Sequence, residues 1–327
     1  MSINWPRFVE IVRNHKNFVL TSHVRPDCDA LGSELGMCGL LEALGKRVTI
    51  VNAQATPPNL AFIDPAKKIK ALGIDVQPSD LADTDLLMVL DTSAWAQLGS
   101  MGDFIRSLQG TKIILDHHVS SDDLGAEPFK DVTAEATGRL VFDAAGHLGV
   151  PLTAEIAKPL FAAVATDTGW FRFGSTSPGT MRCAAALIEA GAKPADIYAS
   201  LYEQMSLARL NLIGRTLAAT EAHCDGRLVV TRILKDDFVA TGALPSDTED
   251  VVNMTLQTRG AEMAVIFVDQ QNGAFKVSFR SRCAADCSQL SEKFGGGGHK
   301  AAAGATIVGP YETVRRDVLD VVKAALR

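Results

Sequence analysis

NFVLTSHVRPDCDALGSELG, residues 17–36, passes from an apolar run to a polar cluster and then into a helical repeat. Residues 17–22 read as a buried strand, and Asp29 through Leu44 as a helix with apolar positions at Leu31, Leu35, Leu40, Leu41 and Leu44. Gly45 supplies the stop. Working outward, KRVTIVNA, DLLMVLD and TKIILD are three further short apolar runs. Separated by helical or loop segments, they predict a parallel sheet covered on both faces. Helical patterns follow at about 134–149, 153–166 and 178–191.

The second half has a different rhythm. A helix is predicted over 206–222, then a strand (GRLVVTRI), a helix near 248–258, and two strands, AEMAVIFV and FKVSFRSR. Gln271-Asn272-Gly273 between that pair is a hairpin signal. A glycine run, a short strand (GATIVG) and a final helix complete it. The fold class is therefore α/β. An N-terminal parallel-sheet domain over 1–190 is joined by a connector, 191–205, to a smaller α/β domain with a mixed sheet over 206–327. A cleft between the two is expected. There is no internal repeat.

Composition narrows the function classes. At 327 residues and 47% hydrophobic, the chain has material for two cores. No stretch of eighteen apolar residues marks a membrane span, and the N-terminus lacks the apolar centre of a secretion signal. The expectation is a cytoplasmic protein with no membrane partner. A net charge of −6 argues against a long basic track for extended nucleic acid, but leaves room for a short phosphorylated substrate. Cys28, Cys38, Cys183, Cys224, Cys283 and Cys287 contain no CxxC pair, so they read as free thiols rather than a zinc site.

The chemistry is concentrated at the ends of the first-half strands, where open parallel sheets place their ligand sites. His23-Val-Arg-Pro-Asp27-Cys-Asp29 follows the first strand, Asp91-Thr-Ser follows LLMVL, and Asp116-His117-His118 closes KIIL. Asp167-Thr-Gly-Trp-Phe-Arg ends a helical stretch. Each cluster alone reads as well as a solvated turn or a helix cap; Asp29, for example, could simply start its helix. Together they place several carboxylates and imidazoles at buried strand ends, poor places for unpaired charge. Hard oxygen ligands with a few imidazoles suit manganese or magnesium.

In the second half, Gly295-Gly296-Gly297-Gly298-His299 lets backbone approach a ligand and present N–H groups to an anion. Arg280-Ser281-Arg282 ends a strand, and alternation puts both arginines on one face. That arrangement suits bidentate phosphate contacts, and equally suits an edge strand guarded by charge.

HVRPDCDALGSELG, DTS, DHH, ATDTGWFRF and GGGGHKAAAGA, in this order across nearly the whole chain, resemble the DHH phosphoesterase superfamily with its DHHA1 substrate domain. The member type resembled is the bifunctional oligoribonuclease and 3′-phosphoadenosine 5′-phosphate phosphatase, or nanoRNase. The resemblance implies two manganese ions, with magnesium or another divalent metal as substitute. One is held by His23, Asp27 and Asp91, the other by Asp29, Asp91, His117 and Asp167, with Asp91 bridging. Asp116 orients the imidazoles, and His118 faces the substrate phosphate. Arg25 is a second candidate cation, with a surface charge as its plain alternative.

Such a metal pair activates water for in-line attack at phosphorus. Arg280, Ser281, Arg282, Gly296, Gly297, Gly298 and His299 are implied to hold the nucleotide, so that a short RNA or small nucleotide is the substrate. A soluble cyclic dinucleotide phosphodiesterase and a non-catalytic nucleotide sensor are the alternatives. A homodimer is the family-level expectation. Cys28 stands where the family usually has glycine; if that position needs a positive φ, cysteine is strained there.

Overall fold

A computed structural model describes residues 3–326. Contacts divide the chain into two units, Met1–Gln204 and Met205–Arg327. The first contains strands β1 (Asn17–Thr21), β2 (Arg47–Asn52), β3 (Ile69–Ala71), β4 (Leu86–Leu90), β5 (Thr111–Asp116) and β6 (Glu127–Lys130). Its helices are α1 (Trp5–Asn14), α2 (Cys28–Ala43), α3 (Met101–Ser107), α4 (Thr137–Leu148), α5 (Ala154–Asp167), α6 (Pro178–Glu189) and α7 (Pro194–Tyr202). The predicted connector, 191–205, is largely the helix α7, and the division between the units falls just before its last residue, Met205.

All pairings in this first sheet are parallel, in the order β3-β2-β1-β4-β5-β6. Every residue of β4 is buried, as a central strand covered on both faces requires. One apolar cluster lies under α1, α2, α4 and α5 and a second under α3. The chain leaves β1 toward one edge and resumes at β4 toward the other. The carboxyl ends of β1 and β4 thus flank the switch point where such sheets bind ligands.

The packing of α2 on α5 sets the distance between two parts of the site. Gly32 and Gly36 of α2 turn toward Pro159 and Leu160 of α5. A Cβ at Gly32 would stand 2.4 Å from the Pro159 carbonyl oxygen, so the two backbones meet where no side chain fits. The site-bearing ends, Asp27 and Asp29 on α2 and Asp167 on α5, are drawn together by that contact.

The second unit contains α8 (Leu207–Ala218), β7 (Glu221–His223), β8 (Leu228–Ile233), α9 (Lys235–Thr241), α10 (Val251–Leu256), β9 (Met263–Asp269), β10 (Ala274–Ser281), α11 (Cys287–Glu292), β11 (Gly297–His299), β12 (Ala302–Val308) and α12 (Tyr311–Ala325). The sheet order is β11-β12-β10-β9-β8-β7; β8 and β9 run parallel and the remaining pairs antiparallel. One face packs on α11 and α12, the other partly on α8, α9 and α10. Gln271 and Gly273 both adopt positive φ in the turn between β9 and β10, as the hairpin signal requires.

Candidate active site

The first motif folds into a capped helix start. Asp27 is the N-cap of α2, its Oδ1 accepting from the N–H groups of Asp29 (2.9 Å) and Ala30 (3.1 Å). The capping residue is thus Asp27, not Asp29. Cys28 is the first helical residue and does not have positive φ, so the strain considered for it does not arise. Asp29 is buried. Its two oxygens accept from the first N–H groups of α4, Thr137 (2.7 Å) and Gly138 (2.8 Å).

Asp91, directly after β4, sits at φ 60°, a left-handed conformation that Asp tolerates better than most residues. Thr137 Oγ1 donates to its Oδ1 at 2.9 Å. The two histidines approach this carboxylate from opposite sides. His23 Nε2 is 3.4 Å from Asp91 Oδ2, and His117 Nε2 is 3.6 Å from Asp91 Oδ1. His117 Nε2 also lies 3.7 Å from Asp29 Oδ2 and 3.6 Å from Asp167 Oδ2, while His23 Nε2 lies 3.9 Å from Asp27 Oδ1. Each ring is oriented from behind. His23 Nδ1 meets the Val24 carbonyl at 3.0 Å and His117 Nδ1 the Ala134 carbonyl at 3.2 Å. A carbonyl only accepts, so Nδ1 carries the proton and Nε2 presents a lone pair to the centre.

Asp116 lies behind the ligands, fully buried. Burial works against its charge. The His118 ring and N–H, Ser93 and Lys130 outweigh burial and hold its carboxyl down to about 2. His118 Nδ1 is 2.8 Å from Asp116 Oδ1, which raises the imidazole above its ordinary value. Lys130 Nζ reaches Asp116 Oδ2 at 3.0 Å and Ser93 Oγ at 2.6 Å. Sequence reading missed Thr137, Ser93 and Lys130. Thr137 and Lys130 lie outside every motif, and Ser93, though it closes the DTS motif, shows its role only once the folded chain brings it to Asp116. Arg25 is exposed on its loop.

The donor set fits divalent cations. Burial, and then Asp91 and Asp167, raise Asp29 well above the ordinary carboxylate range; burial, and then Asp27, do the same to Asp91. Like charges buried this closely need a cation among them. The ligand atoms of His23, Asp27 and Asp91 lie within 4.8 Å of one another, as do those of Asp29, His117 and Asp167 and those of Asp91, His117 and His118.

In the second unit, Arg280 and His299 both stand opposite Ala302, which places them on one face of the sheet. Lys276 is on the same face of β10. It lines a recess of about 170 Å³ with Ser278, Arg280 and Asp250. Gly297 and His299 are exposed and form a short strand rather than a loop. Two of the expected residues are engaged within the fold. Ser281 faces the covered side, 7% exposed, and its hydroxyl oxygen accepts from the Cys283 N–H at 3.3 Å. Arg282 is already engaged by its own fold: Nε donates to the Ala261 carbonyl (2.6 Å) and an Nη to that of Thr258 (2.9 Å). Arg280 also has intramolecular partners, Asn253 Oδ1 and the Phe279 carbonyl, both at 3.0 Å.

Residues 17–164 match the DHH family, N-terminal domain, and residues 225–327 match the DHHA1 domain. The bifunctional oligoribonuclease and PAP phosphatase NrnA of Thermus thermophilus is 33% identical over 94% of this chain and 89% of its own. The chain belongs to the DHH phosphoesterase family. Another DHH relative, the Bacillus subtilis protein of the same name, is 26% identical over 91% of this chain and 92% of its own. Among solved structures, an exopolyphosphatase-related protein from Bacteroides fragilis superposes with a TM-score of 0.79 at 26% identity, covering 98% of this chain and 95% of its own. No described helix of this DHH protein is long and apolar enough to cross a membrane.

Proposed function

We propose that the chain is a manganese-dependent phosphoesterase that hydrolyses dinucleotides and other very short RNAs to mononucleotides, and 3′-phosphoadenosine 5′-phosphate to AMP. The observation that carries this reading is the central Asp91 carboxylate, with one oxygen toward His23 and the other toward His117. The relatives named as bifunctional oligoribonuclease and PAP phosphatase suggest the substrate class. His23, Asp27 and Asp91 would hold one cation; Asp29, Asp91, His117 and Asp167 would hold the second. Bound divalent cations supply Lewis-acid charge and activate the attacking water.

The side chains do the remainder. The α4 N-terminus fixes Asp29, and Thr137 fixes Asp91, so the ligand oxygens are oriented before a cation arrives. Asp116 holds the Nδ1 proton of His118 and leaves Nε2 for the substrate. There a protonated ring offsets phosphoryl charge or gives its proton to the leaving alkoxide. Arg280 and His299 are assigned to the nucleotide; Arg282 braces the turn between α10 and β9 through the Thr258 and Ala261 carbonyls. The six free cysteines support a cytoplasmic location within this reading.

The test is a panel: dinucleotides, 3′-phosphoadenosine 5′-phosphate, cyclic dinucleotides and pyrophosphate, each with chelated protein and with added manganese. Linear dinucleotide and the bisphosphate are expected to turn over only with metal, and manganese to restore the highest rate. Full activity in excess chelator after confirmed metal removal overturns the two-metal reading. Preference for pyrophosphate or a cyclic dinucleotide overturns the substrate assignment.

A further inference from the structure

A groove of about 440 Å³ opens from the carboxylate cluster within the first unit. Asp27, Asp29 and Asp167 form its inner end. Pro26, Pro57, Leu60 and Leu201 form apolar walls, and Thr166 and Asn59 are its neutral polar groups. The Cys28 side chain adds to the lining where glycine would leave more room.

We propose that this groove is the base-binding subsite: it receives the nucleobase of the nucleotide whose phosphate is held at the carboxylate cluster. The inference rests on the phosphoesterase reading and names a contact that reading leaves open. Charge argues for it first. No lysine, arginine or histidine lines the groove, while three carboxylates close its inner end. With no cationic side chain along its walls, the groove has no partner for a second phosphate, whereas an uncharged ring needs none. Continuity argues next, because the groove shares its inner wall with the ligands that would hold the phosphate. The sugar and base attached to that phosphate must leave the cluster in some direction, and this wall offers apolar surface. Size is compatible, since small-molecule sites begin near roughly 300 Å³. Thr166 already donates its hydroxyl to the Ala162 carbonyl, so the Asn59 amide at the rim, with both donor and acceptor, is the group suited to a base edge.

AMP and ribose 5-phosphate share sugar and phosphate and differ by the base. Each is titrated into manganese-loaded full-length protein and followed by calorimetry. AMP is expected to bind about tenfold tighter or more, the gain from removing one base from water. Leu201→Trp, which fills the groove, is expected to bring the ratio of the two affinities close to one. Should that variant not fold, Asn59→Trp at an exposed rim position is expected to do the same. An equal affinity for the two probes in the wild-type protein overturns the proposal, as does a ratio unchanged in a folded tryptophan variant. Dinucleotide hydrolysis by the wild-type protein, run in parallel, separates the two failures. Absent hydrolysis defeats the phosphoesterase reading itself, whereas hydrolysis with an unaltered ratio defeats the subsite alone.

Discussion

At the scale of single residues, the candidate site gathers buried charge that needs an offsetting cation, and Asp91 stands at its centre. Its carboxylate is almost fully buried, stands at positive φ and faces a histidine on either side. Asp91→Ala is expected to abolish turnover and weaken divalent-metal binding while circular dichroism stays native. Asp91→Asn, which keeps the tolerance for that backbone, should do the same with less loss of stability. Near-normal turnover at saturating manganese would show that Asp91 does not bridge. Glu34 is a second buried carboxyl, and it titrates in the other direction from Asp116. Burial pushes it from its ordinary 4.5 to about 7, against the hydrogen bond from Asn52, with Ser22, His23 and Asp64 around it. The folded protein therefore keeps a proton that the unfolded chain has already released. Stability from this group is complete below about 4.5 and is lost as pH rises through 7. In metal-free protein, Glu34→Gln should flatten the fall in urea stability between pH 5 and pH 8, by about 1–3 kcal/mol. Parallel curves for variant and wild type would exclude Glu34 as the source.

At the scale of elements, the spacing of helices sets the spacing of the candidate ligands. The contact of Gly32 on the Pro159 carbonyl holds α2 against α5, and so holds Asp29 near Asp167. Gly32→Ala places a Cβ where backbone must shift. A loss of about 1–3 kcal/mol in unfolding free energy is expected, with a weaker metal affinity in the protein that remains folded. Calorimetric metal titration checks this; unchanged affinity would mean that the helix pair does not control the ligand distance. The elements that carry ligands were also the legible ones. β1, β4 and β5 are continuous apolar runs, and each hands over directly to an Asp or His cluster. Those that escaped were short or weakly patterned. β3 is three residues (IKA), and β6 is EPFK, a proline-bearing edge with a charge at each end. Lys130, which fixes Asp116, sits on that illegible edge.

At the scale of the whole molecule, every candidate metal cluster among the described residues lies in the first unit, and the grouping of Arg280, Lys276 and His299 lies in the second. The proposed division of labour predicts a kinetic separation. Arg280→Ala is expected to lower the specificity constant on a dinucleotide about tenfold to hundredfold, for charge-assisted hydrogen bonds worth roughly 1.5–3 kcal/mol. His299→Ala should act in the same direction. A small artificial phosphodiester should be hydrolysed almost as before by both. Arg282→Ala should lower stability as well as dinucleotide turnover, because its guanidinium holds the Thr258 and Ala261 carbonyls. Equal losses on both substrates in folded, metal-loaded variants would remove the nucleotide-binding role from this unit.

The linear chain by itself determined the α/β class, the parallel sheet of the first half and the Asp and His clusters at its strand ends; the choice of six candidate ligands among them came from the family resemblance. It could do so because strand periodicity, turn residues and clustered ligands are local patterns, written within a few positions of one another. The tertiary structure alone decided which groups hold those ligands in place. Thr137 and Gly138 reach Asp29 across 108 and 109 positions, and Lys130 reaches Ser93 across 37. It also turned Ser281 inward and committed Arg282 to carbonyls of its own chain. Hydrogen bonds depend on distance in space, and a serine, threonine or lysine acquires its role only when packing brings a buried carboxylate within reach.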